Sequence, residues 1–255
     1  MAKMENNPCA EPYYDRLIAL GYQSFNYSEK HYLFCKGDEL IKIARNIYNN
    51  PDTDESYYIE KTAHEILLAH GFMAARVNRV YDKGELIEDF VALEEEKING
   101  QVYYRKDSDE NLLRQILRFM QDATKIKGMR FGMLDKFGNA PYLSWKDYLS
   151  VVISKADKAD RKYFFQELEC VPNDAMPSFL LTDCNTANFI FESGKLKCAI
   201  DVERPLYGDR DFIYGMIKAR NPYMFELAVK DGYIENMRLI DFYCRLYKYI
   251  FLADI

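Results

Sequence analysis

The chain has 255 residues, enough to bury a substantial core without disulfides or metals, and its 49% apolar, 29% charged composition is that of a folded globular protein. A formal net charge of −6 speaks against nucleic-acid or anionic-membrane partners, and six scattered cysteines with no CxxC pair exclude a thiolate zinc site and read as reduced thiols. No apolar run approaches the ~18 residues of a membrane span and no signal-peptide core opens the chain, so a cytoplasmic protein is expected.

In chain order, Tyr14, Leu17, Ile18 and Leu20 form the apolar side of a short helix over residues 10–21, stopped by Gly21. Two β-rich runs, "HYLFC" and "ELIKIA", flank "KGD" and predict a hairpin. The stretch "DESYYIEKTAHEILLAHG" predicts a helix with Ile59, Ala63, Ile66 and Leu67 at helical spacing and Gly71 after its end. A second hairpin is expected where "RVNRVY" and "LIEDFVALEEEKI" flank "DKGE", with Glu94, Glu95 and Glu96 on a solvated strand face. From Asn111 the pattern turns helical: "ENLLRQILRFMQDATKI", "SWKDYLSVVISKA" with Ser144 as its cap, and "ADRKYFFQELECV". A small hairpin is expected near 189–200, and "DFIYGMIKA" and "IENMRLIDFYCRLYKYIFL" close the chain as helices. Trp145 and the stripe Phe242, Tyr243, Tyr247 and Phe251 read as core, and Cys184 as a small buried thiol rather than a nucleophile.

The chemistry concentrates in "LLTDCNTANFIF" and "CAIDVERPLYGDRDF". Asp183 and Asn188 alone are compatible with turn formation through their own backbone. Together with Asp201 and a strand lysine, Lys42, they supply what phosphoryl transfer from a nucleotide to a hydroxyl requires. That is a base near the acceptor, oxygen ligands for Mg²⁺, and a cation on the phosphates.

These segments resemble the aminoglycoside phosphotransferase family of the protein-kinase-like fold. Its motifs HGDxxxxN, IDxE and GDPxxDLA correspond here to "LTDCNTAN", "IDVE" and "GDRDFIYG", and "FGMLDKFGNAPYLSWKDYL" is similar to a further family segment. The resemblance, over residues 30–220, implies an α/β (α+β) two-lobe fold. Residues 1–97 would form a small antiparallel-sheet lobe with one helix, binding ATP or GTP, and residues 98–255 a larger helical catalytic lobe. It implies Asp183 as the catalytic base, Asn188 and Asp201 as Mg²⁺ ligands, and Lys42 on the nucleotide phosphates. Glu65 is the expected helix partner of Lys42, with Glu60 as its rival. Adenine would meet the backbone near Glu95 to Lys97. Asp211 would support the catalytic loop from a helix start, and Asp209 is read as structural too.

The implied partners are a nucleotide and a small-molecule hydroxyl acceptor. The acceptor, the choice of nucleotide and the oligomeric state stay open. The chain departs from the family in two places. Leu181-Thr182 stands where the family has His-Gly, and the nucleotide-covering loop "FNYSEKH" has no glycine. A metabolic kinase for an amino alcohol or sugar, and a non-catalytic kinase-like binding protein, are the alternatives.

Overall fold

A computed structural model describes residues 12–27, 31–44, 53–88, 90–103 and 109–251. Five strands, β1 (Gln23–Tyr27), β2 (His31–Lys36), β3 (Glu39–Ala44), β4 (Val77–Tyr81) and β5 (Ala92–Glu96), form an antiparallel sheet in the order β1-β2-β3-β5-β4. Gly37, at φ 60°, makes the tight β2–β3 turn that a side chain with a Cβ disfavours. Strand alternation then sorts the residues. Ile41, Ile43 and Ala92 point to one face, where they pack with Phe34 and with Leu17 of α1 (Pro12–Ala19). Lys42 and its cross-strand neighbour Leu93 point to the other face, where Leu93 packs with Tyr57 of α2 (Thr53–Ala69).

The second hairpin differs from expectation. Its second strand starts at Ala92 rather than at residue 86, because residues 82–87 close a turn of their own. Gly84 N–H donates to the Ile87 carbonyl at 2.8 Å, and Ile87 and Phe90 insert into the α1-side core from a loop. The loop "FNYSEKH" lies partly outside the described residues, at 28–30.

Past residue 109 the chain is mainly helical: α3 (Glu110–Ala123), α4 (Trp145–Ser154), α5 (Lys158–Glu167), α6 (Phe212–Arg220), α7 (Pro222–Lys230) and α8 (Met237–Phe251). Caps set two of the starts: the Asp109 carboxylate accepts from Asn111 and Leu112 N–H, and the Ser144 hydroxyl accepts from Asp147 N–H. The unforeseen α7 begins where the Asn221 side chain accepts from Met224 N–H and Pro222 occupies the first turn. No described helix is long and apolar enough to cross a membrane.

Trp145, Phe212, Phe242, Tyr243 and Tyr247 lie in one large core, as the stripe predicts. The side chain of Phe251 is outside the described residues. Gly215 lets α6 and α8 approach closely: a Cβ there would sit 2.4 Å from Tyr243 Cβ.

Two three-stranded sheets are embedded here, β10-β9-β6 and β7-β11-β8. They comprise β6 (Gln101–Val102), β7 (Gly132–Met133), β8 (Ser178–Leu180), β9 (Phe189–Glu192), β10 (Lys195–Ala199) and β11 (Leu206–Gly208). The β9–β10 hairpin is tied to the segment between α2 and β4: Ala75 N–H donates to the Ala199 carbonyl and Ala199 N–H to that of Met73, at 3.1 and 3.0 Å. This seam carries the end of the hairpin towards α2 and β3.

Candidate active site

The β9–β10 hairpin explains the sequence spacing of the candidate ligands. Asn188 immediately precedes β9 and Asp201 lies two positions past the end of β10, so both stand at the open end of the hairpin. Ile200 N–H donates to the Asn188 carbonyl at 2.8 Å and holds the two strands together there. Asp201 adopts φ 57°, a left-handed conformation that costs an L-residue roughly 1–3 kcal/mol and clusters at functional sites. β8 pairs with β11 in the register Leu180↔Leu206, which lays residues 181–183 beside residues 203–205. Asp183, Asn188, Asp201 and Glu203 therefore line one cleft.

Lys42 enters the site from β3. Its Nζ is 3.0 Å from each oxygen of Glu60, bonds directly to the Asp201 carboxylate, and lies 3.7 Å from Glu203. Burial acts to lower its pKa, but Asp201, Glu60 and Glu203 outweigh it and hold the ammonium charged well above the ordinary lysine range. Asp183 is half-buried, and one of its oxygens accepts from Asn185 N–H at 3.1 Å, so it is a turn former as well as a cleft carboxylate.

The departure from His-Gly is accommodated by packing of Leu181 and by hydrogen bonds of Thr182 and Tyr247, a residue the sequence marks only as core. Leu181 is buried in the core. The Thr182 hydroxyl donates to the Arg204 carbonyl at 2.8 Å, stitching the loop to the segment that precedes β11. The Tyr247 hydroxyl, from α8, donates to the Thr182 carbonyl at 2.9 Å and accepts from Arg220 Nε at 3.3 Å. Burial disfavours the Arg220 charge, and Tyr247 and Asp183 more than restore it. The Asp183 loop is thus braced on both sides without a histidine.

Three expectations need correction. Glu65 is not the partner of Lys42: its side chain is 59% exposed and faces Lys61 one turn back, while Glu60 is buried on Lys42. The two glutamates differ by five positions, so α2 can turn only one of them to the sheet. Glu95 is not on a solvated face: alternation places it on the Lys42 side of β5, and it is buried. That burial pushes its carboxyl up to about 7 against the pull of Lys42. Nor are the N–H groups of Glu96 and Lys97 open to a base, because they donate to the carbonyls of Arg76 and Asp38; the Lys97 ammonium lies over the Phe25 ring.

Of the acidic pair after Gly208, Asp209 is the integrated one. It is buried and accepts from the Tyr243 hydroxyl at 2.7 Å, which in turn accepts from Trp145 Nε1 at 3.0 Å. Asp211 makes no side-chain cap bond on α6. Cys184 is buried, as expected.

The donors at the hairpin end suit a hard divalent cation. Oxygens of Glu60, Asp201 and Glu203 lie within 4.8 Å of one another, and the buried Asn188 lines the cleft with Asp201 and Glu203. Carboxylate and carboxamide oxygens are the ligands Mg²⁺ takes.

The chain is mixed α/β, with a lysine braced between a helix glutamate and a cleft aspartate. No protein-family model and no curated protein matches the chain. Solved structures do match, and the chain has the fold of the aminoglycoside phosphotransferases. Against the crystal structure of aminoglycoside phosphotransferase APH(4)-Ia the TM-score is 0.72 at 14% identity, covering 95% of this chain and 92% of that one. A thermostable mutant of that enzyme, in ternary complex with AMP-PNP and hygromycin B, gives 0.71 at 15% identity, over 94% and 90%. The GDP and kanamycin complex of APH(2″)-IIIa gives 0.60 at 13% identity, over 89% and 82%.

Proposed function

We propose that the chain is a Mg²⁺-dependent phosphotransferase that moves the γ-phosphoryl group of ATP or GTP to a hydroxyl of a small molecule. The observation that carries this reading is that Lys42, held by Glu60, bonds to Asp201, which lines one cleft with Asp183 and Asn188. In this reading the lobes divide at residues 97 and 98, between β5 of the first sheet and β6, which pairs with β9. One similar structure is a complex with AMP-PNP and hygromycin B and another a complex with GDP and kanamycin, which supports a nucleotide donor and a hydroxyl-bearing acceptor here.

Asp183 accepts the proton of the acceptor hydroxyl as the oxygen attacks the γ-phosphorus, and the bond to the β,γ-bridging oxygen breaks. Lys42 binds the nucleotide phosphates, and Glu60 fixes its Nζ so that little reorganisation is needed. Asn188 and Asp201 would hold Mg²⁺, which supplies charge neutralisation on the transferring group. Thr182 and Tyr247 keep the Asp183 backbone in place.

Calorimetry with ATP and GTP, with and without Mg²⁺, tests this together with ADP or GDP release over an acceptor screen. Wild type binds in a Mg²⁺-dependent way, D201N loses that dependence, and D183A keeps nucleotide affinity but loses turnover by at least ~10². Full turnover in D183A sinks the base assignment, and no binding of either nucleotide sinks the phosphotransferase reading.

A further inference from the structure

Arg220, the last residue of α6, is a cation beside the Asp183 loop that the proposed chemistry does not use. The Cys184 thiol reaches the Met216 carbonyl at 3.8 Å and seats the loop on α6, and Arg220 follows Met216 by one turn. Arg220 Nε donates to the Tyr247 hydroxyl at 3.3 Å, and that hydroxyl donates to the Thr182 carbonyl at 2.9 Å. The Thr182 carbonyl belongs to the peptide unit that carries Asp183, so two hydrogen bonds link the guanidinium to the backbone of the proposed base.

Bracing Tyr247 needs a single donor. A guanidinium offers five in a planar fork and keeps its charge whatever surrounds it. Arg220 is half-buried, and among the described residues it has no carboxylate within ion-pair distance and no hydrogen bond from either Nη. Lys218, two positions earlier, is by contrast paired with Asp241. Half-burying a charge against one neutral hydroxyl is unfavourable unless an anion completes it. Nor is Arg220 part of the phosphate end of the site. The cleft there is lined by residues 181–183, 188–189 and 199–203, and its cation is Lys42 from β3. Arg220 approaches the Asp183 loop from α6 and α8 instead.

We infer that Arg220 selects the acceptor, binding a carboxylate or phosphate group carried by the hydroxyl compound that Asp183 deprotonates. This rests on the phosphotransfer reading and sets the chain apart from the fold relatives that hold hygromycin B and kanamycin. An uncompensated guanidinium beside the base repels a polycationic acceptor and attracts an anionic one. Its two Nη groups can take two oxygens of a carboxylate or phosphate side by side, which fixes the reacting hydroxyl at a set distance from that anion.

Calorimetry on the nucleotide-free full chain reads anion binding directly. The probes are D-glycerate and glycerol 3-phosphate, with glycerol and kanamycin as the uncharged and cationic counterparts. ADP or GDP release is then measured with the same compounds. One of the anions should bind at least ~10-fold more tightly than glycerol, and R220M should weaken it at least ~10-fold. R220K, which keeps the charge but loses the fork, should fall between. In turnover, R220M should raise KM for the anionic acceptor and leave nucleotide affinity unchanged, a split that a merely structural brace would not produce. Wild type that binds neither anion overturns the inference, as does anion binding undiminished in R220M. So does a fall in kcat that is equal for charged and uncharged acceptors, which would assign Arg220 to loop support or to the transferring phosphoryl group. Should R220M not fold, the wild-type preference and R220K decide. Anion binding requires no nucleotide, so Arg220-dependent binding in a chain that binds neither ATP nor GTP would sink the phosphotransferase reading and leave the anion site standing.

Discussion

The choice of Glu60 over Glu65 can be settled by a paired substitution. Glu60→Gln removes a buried charge whose two oxygens each lie 3.0 Å from Lys42 Nζ. At an effective dielectric of about 20, a unit pair at that separation is worth roughly 5 kcal/mol gross. Desolvating Glu60 offsets much of this, and Lys42 keeps Asp201 and Glu203 as partners, so the net loss should be about 2–3 kcal/mol, below the 3–5 of a fully orphaned buried ion. Glu65→Gln loses only an exposed pair with Lys61 one turn away, at about 0.3–0.5 kcal/mol. Urea unfolding, compared by midpoint at constant m-value, measures both. Nucleotide affinity should follow the same order, because only Glu60 orients the lysine. If Glu65→Gln costs as much stability as Glu60→Gln, the assignment of the helix partner is wrong.

Tyr247→Phe removes the hydroxyl that braces the Thr182 carbonyl, and should cost about 1–2 kcal/mol and lower kcat more than nucleotide affinity; equal kcat in the variant would remove α8 from loop positioning. Gly215→Ala places a Cβ 2.4 Å from Tyr243 Cβ and 2.9 Å from Cys244 N, so α6 and α8 must separate. A loss of about 1–3 kcal/mol in the urea midpoint is expected, and a neutral result would mean that the helices part freely. Asp211→Asn should act through pH. Burial and the neighbouring Asp209 raise the Asp211 carboxyl above its ordinary value, so the native state holds that proton more tightly than the unfolded chain. Stability therefore falls as pH rises from about 4 through the folded value. The variant should match wild type in acid and exceed it near neutrality, and denaturation across that range would show no such gain if the carboxyl were unperturbed.

What the sequence by itself determined is the set of features whose causes are local. Ser144 caps its helix through an N–H group three residues away, and Gly37 turns β2 into β3 because it has no Cβ to strain. The order Asp183, Asn188, Asp201 was legible for the same reason, since one short hairpin separates the last two. The tertiary structure decided what depends on the rotation of one element against another. Glu60 and Glu65 occupy the same helix with the same chemistry, and only the packing of α2 on the sheet turns one to Lys42 and the other to water. Strand alternation permits either face for Glu95 until α2 covers one of them. Tyr247 lies 65 residues beyond Thr182, where no periodicity reaches, and its hydroxyl meets the Thr182 carbonyl only because α8 packs on α6.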